Sequence, residues 1–167
     1  MFVWVAPLFL ICCWKWGDWK NWKEYYHTIL YFILIDFLNN FLTANYPLWK
    51  YQHTPLNHTL SDVLVAFTVY PSTVLLFLPY YPKKIIRKVA YILCWVSLYT
   101  FIEVSSVKIG IFTYHNGWNI WWSIGFNFGM FIMLRFFYKH PLLAWPVSWL
   151  LITITLMFFK LPIDNMR

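Results

Sequence analysis

The chain has 167 residues and a formal net charge of +7, with 61% hydrophobic, 24% aromatic and only 11% charged residues. Its mean hydropathy of +0.56 excludes a separate water-soluble domain, because helices of such a domain would carry charged outer faces. The balance predicts one integral membrane domain over 1–167 of the all-α class, a polytopic transmembrane helix bundle with five or six spans.

A bilayer core of about 30 Å takes roughly 17–25 largely apolar residues per helix. The first run, 2–16, is short against that length, so it spans by tilting or thinning the bilayer or lies partly in the interface. Its opening, MFVWVAPLFLICCW, lacks a basic start and a small-residue cleavage site, and is expected to stay on the protein. Cys12, Cys13 and Cys94 lie in apolar stretches without CxxC spacing and read as small buried hydrophobes. The connector 15–27, KWGDWKNWKEYYH, then alternates Lys15, Lys20 and Lys23 with Trp16, Trp19, Trp22, Tyr25 and Tyr26. Rings that are half apolar, alternating with lysines, suit the headgroup level, so membrane lipids are the expected partner; the flanking spans argue against nucleic acid.

The second run, 28–46, holds Asp36 about 12 Å from its start at 1.5 Å per residue. Asn39, Asn40 and Thr43 share its helical face. A carboxylate near the bilayer centre costs about 2.5–3.5 kcal/mol on insertion scales, so that face is expected to turn away from lipid. The third run, 60–78, begins beside Asp62 and contains Pro71, which frees the carbonyl of Phe67. The fourth, 88–107, carries Glu103 near its outer end, with Tyr99, Thr100 and Ser106 on the same side. His115, Asn116 and Gly117 make the following turn, since Asn-Gly supplies the backbone freedom of a tight reversal. Trp118, Trp121 and Trp122 anchor the fifth run, 118–137, along which Asn119, Ser123 and Asn127 form a stripe at four-residue spacing. Gly125 and Gly129 form G-x-x-x-G on another face, where a helix is expected to pack; homo-oligomerisation or a membrane-protein partner stays open. The sixth run, 141–159, starts with Pro141 in its first turn, and Pro146 frees the carbonyl of Leu142.

Lys15, Lys20, Lys23, Lys83, Lys84, Arg87, Lys88, Arg135 and Lys139 fall on one side of these spans, against Lys50, Lys108, Lys160 and Arg167 on the other. Basic residues concentrate in cytoplasmic loops, which places the protein in the cell (cytoplasmic) membrane with the Tyr114–Asn119 loop and C-terminus extracytoplasmic. Asp36, Asn39, Asn40, Asp62, Glu103, His115, Asn116, Asn119, Ser123 and Asn127 then gather in the outer half as a candidate polar cluster. Isolated Asn and Ser residues in bundles often only tie neighbouring helices. Buried carboxylates must be protonated or paired, so Asp36 and Glu103 point more strongly to function. His115 reads equally well as an ordinary interface histidine.

A phosphate-binding glycine loop, a G-x-S-x-G elbow and an HExxH helix are absent from the sequence. His53 and His58 make a poor ligand pair, so neither metal nor cofactor is expected. The N-H-T at 57–59 matches a glycosylation sequon, a motif short enough to arise by chance.

GIFTYHNGWNIWWSIGFN, together with WKWGDWKNWKEYY, FLTANYPLWKY and KHPLLAW, resembles a family of small uncharacterised multi-span membrane proteins of spore-forming Gram-positive bacteria. The resemblance covers nearly the whole chain, and YHNGWN with the following WWS is its most specific part. It implies a helical protein of the cytoplasmic membrane and brings no activity with it. A fainter likeness is to small lycopene-cyclase-type domains, which share short aromatic-rich helices and intramembrane carboxylates. Three functions follow as expectations: a non-enzymatic accessory, sensor or assembly subunit; a proton or cation transporter or channel subunit; and an intramembrane enzyme acting on an isoprenoid or lipid.

Overall fold

The computed structural model describes residues 5–52 and 58–159. Phe2 to Trp4, His53, Asn57 of the sequon, the His58 side chain, Lys160 and Arg167 lie outside the described residues. Among the described residues the helices are α1 (Ala6–Trp16), α2 (Trp22–Leu42), α3 (His58–Phe77), α4 (Ile85–Lys108), α5 (Ile120–Lys139) and α6 (Pro141–Phe158). Two short strands, β1 (Trp49–Tyr51) and β2 (Phe112–Tyr114), form an antiparallel ribbon that the all-α expectation did not contain.

Four helices, α3 to α6, are long and apolar enough to cross a membrane. The other two depart from the expected spans for different reasons. The 11 residues of α1 reach only about 16 Å at 1.5 Å per residue, half a bilayer core. Helix α2 has 21 residues, but it starts inside the lysine-tryptophan connector and carries Asp36, Asn39 and Asn40 near its end. It also stops at Leu42, short of the expected Tyr46, where Tyr46 N–H bonds to the Thr43 carbonyl and turns the chain.

Helix α3 packs between α1 and α2, while α5 packs against α4, α6 and α2. Val65, Val69, Val74 and Phe77 of α3 meet Tyr99, Phe131, Leu134 and Ala144 in the buried core. Most of α6 faces outward, with Leu142, Leu150 and Met157 exposed, as a helix apolar all round would in lipid. One buried bond ties it down. Tyr31 and Ser148 hydroxyls lie 2.6 Å apart, and the Tyr31 ring stacks on Phe137 with centroids 3.9 Å apart. Tyr31→Phe keeps the stacked ring and loses the bond, so it is expected to cost about 0.6–1.7 kcal/mol, the range of such interhelical bonds. Unfolding in detergent checks this, with Ser148→Ala adding nothing further in the Tyr31→Phe background.

The basic connectors meet at the end of the bundle opposite the ribbon. Tyr80 Oη donates to the Trp16 carbonyl at 2.9 Å, Asp18 N to the Leu75 carbonyl at 3.3 Å, and the Arg135 guanidinium lies 4.8 Å from the centroid of the Tyr81 ring. Asp18 accepts from Asn21 Nδ2 at 3.0 Å and Tyr25 Oη at 3.0 Å. The Asn21 bond, chiefly, holds its carboxyl below the usual carboxylate range. The order this lends the connector is present above the unfolded-state value and is lost as pH falls through the lower folded value. The Trp19 indole N–H, 2.7 Å from the Cys13 carbonyl, is expected to report that acid transition by NMR, and Asp18→Asn to remove it.

Two further expectations change. A Cβ added at Gly125 or Gly129 would meet nothing within 4 Å, so no helix among the described residues packs on the G-x-x-x-G face; the neighbours of α5 use its other sides. Among the cysteines only Cys13 is buried, whereas Cys12 is half-buried and Cys94 exposed.

Candidate functional site: an acidic cavity beside the ribbon

The ribbon pairs Trp49 with Tyr114, Lys50 with Thr113 and Tyr51 with Phe112. Aromatic and β-branched residues favour this short extended pairing. Beyond it, Asn116 and Gly117 take positive φ values of 52° and 83°, which suits the residues most tolerant of the left-handed region. Asn116 Nδ2 donates to the Pro47 carbonyl at 2.8 Å and His115 N to the Leu48 carbonyl at 2.9 Å. The α2–α3 and α4–α5 connections are thereby stitched together.

Against the ribbon lies a cavity of about 70 Å³. Asp36 comes to it from α2, Asp62 and Tyr70 from α3, Tyr99 and Glu103 from α4, and Ser123 and Asn127 from α5. Trp49, Tyr51, Phe112, Trp118 and Phe126 supply aromatic walls, and no lysine or arginine is among the described lining residues. Asp36 Oδ1 accepts from Tyr70 Oη at 2.8 Å, and Oδ2 from Asn40 Nδ2 at 3.3 Å. Glu103, only 2% exposed, accepts from Tyr114 Oη at 2.7 Å. Burial first, and the bond to Glu103 second, push the Tyr114 hydroxyl well above its ordinary pKa, so it stays a neutral donor. Trp118 Nε1 donates to Ser123 Oγ at 2.8 Å, and the Tyr99 and Thr73 hydroxyls are 2.6 Å apart.

Asn127 stands out within this lining. It is 5% exposed, yet its Nδ2 has no hydrogen-bond partner among the described residues. A buried donor left unmade costs about 1–3 kcal/mol, and an acceptor is what it calls for.

Five of the expected cluster residues thus share the cavity: Asp36, Asp62, Glu103, Ser123 and Asn127. Asn40 reaches it only through Asp36 and lines a neighbouring outer cleft. The others lie outside that lining and make other contacts. The backbone carbonyl of Asn39 accepts from Thr43 Oγ1 at 2.8 Å. Asn119 caps α5, its Oδ1 accepting from Trp121 N at 3.0 Å and Trp122 N at 3.3 Å, the usual work of an asparagine before a helix. Asn116 and His115 build the turn, with His115 Nε2 3.0 Å from Thr113 Oγ1. Tyr70, Tyr114 and the ribbon aromatics join the site without having been expected from the sequence. Tyr70 lies two helical turns from Asp62, a usable signal, whereas Tyr114 reaches Glu103 through a strand pairing that leaves no local mark.

An aromatic layer closes the cavity toward the basic end. Tyr99 meets Phe131 edge-on, with centroids 5.1 Å apart, and Phe9 at 6.2 Å. Phe131 in turn lies 5.1 Å from Phe77. On the other side, an outer cleft of about 510 Å³ shares Asp62 and Trp49 with the cavity and is walled by Phe37, Phe41, Leu48 and Val63, with Lys50 also lining it. Among the described residues no group of three or more His, Cys, Asp or Glu side chains is placed to hold a metal ion. Compared with known proteins, the chain matches no family model, no curated protein and no solved structure.

Proposed function

We propose that the chain is a multi-pass protein of the cell membrane, of the kind found in the spore-former family it resembles, and that it acts as a non-enzymatic accessory or sensor subunit. In this reading α1 and α2 complete five or six passes, the basic end is cytoplasmic, and the acidic cavity takes a small cationic solute from outside. The observation that carries it is that carboxylates from three helices line one cavity with tyrosine hydroxyls and aromatic rings. Carboxylates in a low-dielectric setting favour a cation that compensates their charge, and ring faces add cation–π attraction. The aromatic layer formed by Tyr99, Phe131 and Phe77 supports one-sided binding over passage across the bundle.

Calorimetry on the purified protein in nanodiscs, with sodium, potassium, ammonium and methylammonium chlorides, tests this. At least one of these cations is expected to bind, and Asp36→Asn and Glu103→Gln are each expected to weaken it by about tenfold to a hundredfold, the value of a hydrogen bond to a charged group. Circular dichroism would verify that both variants keep their helices. The proposal is overturned if none of the four cations binds, or if both variants bind as the parent does.

A further inference from the structure

The end of the bundle opposite the cavity concentrates the other charge, and one cation there is held in place rather than left to swing. The Arg135 guanidinium lies 4.8 Å from the centroid of the Tyr81 ring and 5.2 Å from that of Tyr138. Tyr81 meets Tyr91 edge-on at 5.9 Å, and Tyr91 Oη donates to the Phe77 carbonyl at 3.0 Å. The rings around Arg135 are thereby anchored to the last turn of α3. Among the described residues Arg135 makes no ion pair, and Asp18 of the same end is already engaged by Asn21 and Tyr25. A guanidinium fixed over rings keeps its N–H edge for an anion and loses little freedom on binding one.

Other cations come to the same place. Trp95 and Tyr99 of α4 meet Phe131 of α5 at 5.7 Å and 5.1 Å, which sets the antiparallel register of the two helices. One turn on, Tyr91 comes opposite Arg135, and a turn further Lys88 comes opposite Lys139. Lys88 is half-buried and Lys139 exposed, and neither makes an ion pair among the described residues. Beside them the surface turns apolar at once, with Ile85, Ile86 and Leu142 70%, 82% and 85% exposed. A free anion would make no use of that rim. A phosphate that carries acyl chains uses both the cations and the rim.

We propose that the paired ends of α4 and α5 form a specific site for one anionic phospholipid: its phosphate lies among Arg135, Lys88 and Lys139, and its acyl chains cover Ile85, Ile86 and Leu142. This goes beyond the reading of the cavity as a cation site and does not depend on it. The lysines and tryptophans of the connector suit any headgroup layer, whereas this arrangement selects among headgroups. Three cations favour a lipid of net negative charge over a zwitterionic one, whose own ammonium they would repel. Arg135 supplies geometry, a fork of N–H groups that fits two phosphate oxygens, and the lysines supply charge.

The test titrates the full chain, in neutral detergent, with phosphatidylglycerol, phosphatidylcholine and inorganic phosphate, and follows bound lipid by native mass spectrometry. Phosphatidylglycerol is expected to bind about tenfold more tightly than phosphatidylcholine, and an excess of inorganic phosphate to leave it in place. Arg135→Gln is expected to weaken it by about tenfold to a hundredfold, the value of a hydrogen bond to a charged group. Arg135→Lys is also expected to bind more weakly than the parent, because a point charge replaces the fork. Lys139→Gln, a change on an exposed side chain that leaves the packing intact, is expected to cost about fivefold. Lys15→Gln removes another exposed lysine of this end, one that lies over the Trp16 ring, and is expected to change nothing. Equal affinity for the two lipids, or a loss in Lys15→Gln as large as in Lys139→Gln, would overturn the site in favour of diffuse charge. Displacement by inorganic phosphate would overturn the lipid as its occupant.

Discussion

Phe131→Ala is expected to destabilise the protein by about 1.5–4.5 kcal/mol. Phe131 is fully buried and its ring meets Phe77 at 5.1 Å, Trp95 at 5.7 Å and Tyr99 at 5.1 Å. In a membrane the unfolded helices already sit in an apolar solvent, so the transfer part of a large-to-small loss is small and the packing part dominates. Three aromatic pairs at about 0.5–1.5 kcal/mol each give the stated range. Phe131→Leu, which refills part of the space, is expected to cost less than half as much. Unfolding in detergent followed by circular dichroism measures both. The same substitution to alanine removes the edge that holds Tyr99 under the cavity, so cation affinity is expected to fall in Phe131→Ala even though residue 131 does not line the site.

Gly17→Ala is expected to cost about 1–3 kcal/mol, the usual range for forcing an atom into filled space. Gly17 has φ −69° and ψ 142°, which any residue adopts, so backbone freedom is not why glycine stands here. Space is the reason. An added Cβ would run into the Cys13 carbonyl oxygen and come within 3.0 Å of its Sγ. That carbonyl already accepts from Gly17 N at 2.7 Å and from Trp19 Nε1 at 2.7 Å, and it belongs to a helix that cannot simply rotate it away. The connector would have to leave α1, and the bonds from Asp18 N to Leu75 and from Tyr80 to Trp16 would go with it. Gly17→Ser is expected to lower the unfolding temperature about as far as Gly17→Ala does, because Cβ itself makes the clash and the added hydroxyl does not. Thermal unfolding of the two variants beside the parent measures this.

The gathering of Asp36, Asp62, Glu103, Ser123 and Asn127 was legible because lipid leaves a polar side chain few alternatives, and helical spacing says which ones share a face. Asn119 fitted the same spacing and misled. It is one turn before Ser123, where a helix begins, and capping two backbone N–H groups is worth more to it than joining a stripe. Among the described residues no helix meets the G-x-x-x-G face, since small residues permit close approach but do not compel it, and the expectation of a second copy or membrane-protein partner there is untouched. Helix α2 began six residues before the expected run because Trp22 to His27 tolerate helix even while their composition suits the interface. The ribbon had no local signature at all, since strands of three residues are defined by their partner rather than by their own pattern.

Trp49 and Tyr114 pair across 65 positions of chain (114 − 49 = 65). At synthesis rates of about 5–20 residues per second, β1 waits roughly 3–13 s after it emerges before β2 exists to pair with it. Over most of that interval Asp36 and then Asp62 exist without Glu103, and α5 with Ser123 and Asn127 is made only after β2. The acidic cavity therefore still lacks its α5 wall when the ribbon can first pair, and a mutation that weakens the ribbon would lengthen a vulnerable stage of biogenesis before it altered the finished protein.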